Sequence, residues 1–84
     1  NILVYPNPTH SDLYISLTED ENILELEIVL RDLHGREIFR HQFQDAFDPI
    51  HIQLEKYRLS GGIYEFLIFA NTKRIKQEQI VILQ

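Results

Sequence analysis

Cysteine, methionine and tryptophan are missing from this chain, and glycine and proline occur three times each. Without cysteine no disulfide supports the fold, and no thiolate serves as nucleophile or metal ligand. This absence suits an exported protein as well as a cytosolic one. Without tryptophan the largest sugar-stacking side chain is gone, and Tyr5, Tyr14, Tyr57 and Tyr64 are not grouped along the sequence. No apolar run approaches the roughly 20 residues that cross a bilayer as a helix. The longest runs, residues 66–70 and 80–83, are strand-sized. A chain that begins at Asn1 and lacks methionine reads as a piece cut or processed from a longer protein.

Bases are also few. Eight Lys and Arg against thirteen Asp and Glu give a net charge of −5, which argues against nucleic acid as a partner. The charge is uneven. Residues 1–70 hold five bases and twelve acids, a net of −7, while residues 71–84 hold Lys73, Arg74 and Lys76 against Glu78, a net of +2. A basic tail on an acidic body can be read by an acidic partner. It also suits a solvated edge strand, whose lysines discourage aggregation. The 84 residues make one domain, able to bury roughly 60–65% of its unfolded surface.

What is present is alternation. Leu24, Leu26, Ile28 and Leu30 alternate with Glu25, Glu27, Val29 and Arg31, and Tyr64, Phe66, Ile68 and Ala70 form a second face of period two. That is the period of half-buried strands, and no segment carries a sustained helical stripe. Seven strands are predicted, over residues 2–5, 13–17, 23–31, 37–43, 50–54, 63–70 and 73–83, with a helical turn near residues 55–59. The separators carry turn chemistry. Pro6-Asn7-Pro8 fixes two φ angles and bends the chain. Asp32-Leu33-His34-Gly35 suits a hairpin, with the Asp side chain capping and Gly35 taking a positive φ. Asn71-Thr72 suits a tight hairpin. Seven short strands at this spacing predict an all-β fold, a seven-stranded antiparallel immunoglobulin-like sandwich. Tyr64 opens the sixth strand just after Gly61-Gly62, where such sandwiches place a tyrosine corner, and Phe66 stands where antibody domains have cysteine.

Side chains that could carry chemistry are scattered. Zinc needs three or four converging ligands. His41 and His51 lie on consecutive strands without a third ligand on the same face, and His10 and His34 sit in turns. Ser60-Gly61-Gly62 lacks the strand-to-helix elbow of a nucleophile. Glu19, Asp20, Glu21, Asp45 and Asp48 could offer oxygens to calcium, but no spacing matches a loop motif. No catalytic, metal or cofactor site is expected. The closing hairpin is different. With a two-residue turn at Asn71-Thr72, Ile68 faces Ile75, and Ile80 and Ile82 join Leu67 and Phe69 on the outward side. That register leaves an apolar strip, which would mark an interaction site unless a neighbouring element covers it or a bulge changes the register.

Three phrases stand in one order: Tyr5-Pro6-Asn7-Pro8, then Asp32, Gly35 and Arg36 of an Asp-x-x-Gly-Arg hairpin, then Leu59, Gly62, Ile63 and Tyr64 of a Leu-x-x-Gly-Ile-Tyr phrase. With the basic last strand, this order resembles the type A C-terminal sorting domain of the bacterial type IX secretion system, over nearly the whole chain. The chain departs from that pattern at His10-Ser11-Asp12, where glycine is common, and in ending Ile82-Leu83-Gln84 instead of in lysine.

The resemblance implies a non-catalytic domain, residues 1–84, at the C-terminus of a secreted cargo from a Bacteroidota bacterium. It implies recognition in the periplasm by shuttle proteins, passage through the outer-membrane translocon, removal by a cell-surface sortase, and a final location at the cell surface or outside. On that basis Lys73, Arg74, Lys76, Leu67, Phe69, Ile80 and Ile82 are expected at the partner surface. Pro6, Asn7, Pro8, Asp32, Gly35, Arg36, Gly62 and Tyr64 are expected to set turns. The alternative is an immunoglobulin-like adhesion or carbohydrate-binding accessory domain of a surface protein.

Overall fold

The computed structural model describes residues 2–17, 25–44 and 49–83. Apolar alternation in the sequence becomes seven strands: β1 (Ile2–Tyr5), β2 (Asp12–Leu17), β3 (Glu25–Asp32), β4 (Glu37–Gln44), β5 (Ile50–Gln53), β6 (Gly62–Ala70) and β7 (Lys73–Ile82). A single 3₁₀ turn, Glu55–Tyr57, joins β5 to β6. The five pairings between these strands are antiparallel, in two sheets ordered β1-β2-β5 and β4-β3-β6-β7. The sheets pack face to face, as an immunoglobulin-like sandwich does, with the fourth strand beside the third.

The core is built from the inward residues of both layers. Ile2, Val4, Leu13, Ile15, Ile50 and Ile52 come from one sheet; Leu26, Ile28, Leu30, Phe39, Tyr64, Phe66 and Ile68 face them from the other. Phe66 has no exposed surface, so packing fills the place of the antibody cysteine.

The turns follow from local chemistry. At the β3–β4 hairpin Asp32 Oδ1 accepts the N–H groups of His34 and Arg36, each at 2.9 Å. Gly35 N–H donates to the Asp32 carbonyl at 3.0 Å, and Gly35 takes φ +86°. A type I turn followed by a left-handed residue is a common three-residue hairpin. Asn71 and Thr72 both have positive φ, +50° and +70°, as a twisted two-residue hairpin requires. Asn71 Oδ1 also accepts the Glu25 N–H at 3.1 Å. Tyr64 makes a corner: its hydroxyl donates to the Ser60 carbonyl at 2.7 Å.

The register of the last hairpin differs from the expectation. Ala70 pairs with Lys73 and Phe69 with Arg74, but Ile68 then pairs with Lys76 instead of Ile75. Ile75 is an extra residue on β7. One extra residue flips every later side chain to the other face. Tyr64 therefore pairs with Ile80 and Gly62 with Ile82, and both isoleucines are buried in the core. They do not belong to an outward strip.

Candidate functional site

Three cross-strand rows make the outward face of the four-stranded sheet. One row runs Arg40, Val29, Leu67, Gln77; the next runs Gln42, Glu27, Phe69, Arg74; the third contains Glu37, Arg31, Glu65 and Gln79. Val29 and Leu67 lie at the centre and are only 4% and 5% exposed. The cover is the sheet's own polar layer. Arg40 bonds Glu27 at 2.6 Å and Glu37 at 2.9 Å, Arg31 bonds Glu65 at 3.1 Å, and Gln77 donates to Glu65 at 2.7 Å. Long side chains cover apolar surface with their stems while their heads stay in water. Leu67 is thus withdrawn from the surface, Phe69 is half-buried, and Ile63 is exposed.

The basic residues of β7 do not share one direction. Arg74 lies on the outward face and donates to Gln77 at 3.1 Å. Lys76, opposite Ile68, lies on the other face and pairs with Glu78 at 3.4 Å. Lys73 opens the strand beside the Asn71-Thr72 turn and is exposed. Together they make the tip of the hairpin basic on both sides.

The edge of β7 is half closed. Asn7 Nδ2 donates to the Gln79 carbonyl at 2.9 Å, and the Val81 N–H donates to Asn7 Oδ1 at 2.9 Å. Thr9 N–H donates to the Val81 carbonyl at 2.9 Å, and Leu83 N–H to the Thr9 carbonyl at 2.8 Å. The Pro6-Asn7-Pro8-Thr9 segment therefore does more than bend the chain. It lies along β7 as a short parallel strap, and Thr9 is 2% exposed with its hydroxyl bonded to the Asp12 carbonyl. The sequence marked Asn7 as a turn residue; its pairing with a strand more than 70 positions away left no local signal.

The histidines part company. His41 meets the Tyr57 hydroxyl under β4, and His51 bonds Asp12 at 2.8 Å on the outer face of the other sheet. That hydrogen bond comes first among the causes that hold the Asp12 carboxyl below the ordinary aspartate range. Both imidazoles line a groove of about 430 Å³ with Phe43, Ile52, Lys56 and Tyr57. Among the described residues no carboxylate lines it. Among the described residues, no three His, Asp or Glu side chains are grouped to hold a metal. The acids of the calcium reading, Glu19, Asp20, Glu21, Asp45 and Asp48, lie outside the described residues.

Two tyrosines prove to be neighbours after all. Tyr5, Tyr14 and His51 stack across β1, β2 and β5, with ring centroids 5.6 and 4.6 Å apart and planes within 22° and 11°. Cross-strand pairing brings them together. They form a cross-strand aromatic ladder on the outer face of this sheet.

A family model described as secretion system C-terminal sorting domain matches residues 3–83 of the chain. No curated protein matches it.

Proposed function

Because this chain belongs to the family of type IX secretion system C-terminal sorting domains, we propose that it is the address by which the outer-membrane translocon selects a larger cargo protein. The match over residues 3–83 is the observation that carries this reading. Residues 1–84 form one sorting domain, and the domain acts as a non-catalytic tag. Shuttle proteins meet it in the periplasm, the translocon passes the cargo to the surface or beyond, and a surface sortase then removes the tag.

Recognition falls to the basic end of the last hairpin, Lys73, Arg74 and Lys76. This end contrasts with an acidic body, and opposite charge on a partner raises the association rate and fixes orientation. Ile80, Ile82 and Leu67 are buried, which supports leaving them out of this surface. In a bacterium that possesses the pathway, a fluorescent reporter joined ahead of this domain is expected outside the cell. Changing Lys73, Arg74 and Lys76 together to glutamate is expected to keep the reporter inside while the domain's circular dichroism is unchanged. Undiminished secretion of the triple variant would contradict the assignment of that surface.

A further inference from the structure

Along the free side of β7, backbone groups of alternate residues point outward. Val81 uses both of its groups there, Gln79 its carbonyl and Leu83 its N–H, all on Asn7 and Thr9. By the same alternation Gln77 points outward too. No backbone partner meets residues 73–78 on that side among the described residues. Asn7 achieves the closure with a side chain: its amide presents one donor and one acceptor, the pair a neighbouring strand would present.

The open stretch is six residues long, about 20 Å at 3.3 Å per residue, enough for one short strand. It carries Lys73, Arg74 and Lys76 against Glu78, with Arg74 and Lys76 on opposite faces. We propose that a partner docks by adding an extended, carboxylate-bearing segment to residues 73–78 of β7, and that Asn7 sets the boundary of this site by standing in for a strand along the rest of the edge. Main-chain bonds then supply affinity, and alternate carboxylates on the two faces of the added strand supply specificity. A segment that continued toward Leu83 would have to displace the strap. The docking half rests on the sorting reading; the boundary at Asn7 does not.

Gln77→Pro tests the docking edge. The change removes an N–H that faces the open side, breaks no bond to β6, and puts a ring where a partner strand would lie. In the full-length exported protein it is expected to reduce secretion to background, with amide exchange at Ile80 and Ile82 unchanged. Gln77→Ala loses the same side-chain contacts and is expected to be secreted normally. Secretion of Gln77→Pro at the unaltered level overturns strand addition at this edge. If Gln77→Pro disturbs the sheet, Arg74→Glu with Lys76→Glu takes its place, because it reverses the charge on both faces of the open stretch; secretion is expected to fall to background, and unaltered secretion overturns the proposal. Failure of the unaltered protein to leave the cell would instead overturn the sorting reading, and the docking proposal with it.

Asn7→Ala tests the boundary without any secretion machinery. The Val81 amide, whose partner is Asn7, is expected to exchange about tenfold faster, while Ile80 and Ile82, paired with β6, keep their protection. Unchanged exchange at Val81 overturns the role given to Asn7.

Discussion

The Asp32 carboxylate accepts the backbone N–H groups of Arg36 and His34 and lies 3.2 Å from the Arg36 guanidinium. The hydrogen bond from the Arg36 backbone is the largest of the effects that hold its pKa below the ordinary aspartate value. A depressed carboxylate stabilises the fold above its unfolded pKa, and that stabilisation is lost as pH falls through the folded pKa. The difference in melting temperature between the unaltered protein and Asp32→Asn is therefore expected to shrink as pH is lowered from 6 to about 2. A difference that grows toward acid would reject the assignment. At Tyr64 the test is a single oxygen. Tyr64→Phe removes the bond to the Ser60 carbonyl and is expected to cost about 1 kcal/mol, roughly 4–8 °C in melting temperature for a domain this small. Both roles were legible in the sequence, because turn chemistry acts over a few neighbouring residues. Asn7 was not: its partners lie 72 and 74 positions away.

The element that departs from expectation is β7. A two-residue turn predicts one register, and the extra residue at Ile75 produces the other. Ile80 and Ile82 show the consequence. On the expected register Ile80→Ala would be a mild surface change. In the core, where Ile80 has no exposed area, it is expected to cost about 2–5 kcal/mol in denaturant unfolding, while Ile75→Ala, at an exposed position, costs under about 0.5 kcal/mol. Equal effects at the two sites would mean that the bulge is absent. A bulge is hard to read in advance because β7 from Lys73 to Gln79 offers few apolar residues to mark a face. The register is chosen where Ile80 and Ile82 meet the core, and the mismatch is taken up further along.

Across the whole molecule, a domain of this length is expected to hold only about 4–13 kcal/mol of net stability, so losing the Ile80 side chain would remove a large share. The covering of Val29 and Leu67 is likewise a property of the assembled sheet, since Arg40, Gln77 and Glu65 come from three different strands. That cover keeps Val29 and Leu67 from the surface, and the docking proposed above therefore rests on the basic hairpin tip and the half-open edge of β7. The sequence alone determined the all-β class, the seven strands and the principal turns, because each depends on period-two alternation or on the conformational preferences of adjacent residues. Tertiary structure decided the face of Ile80 and Ile82, the burial of Leu67 and the closure of the β7 edge by Asn7, because each is settled by contacts between segments far apart in the chain.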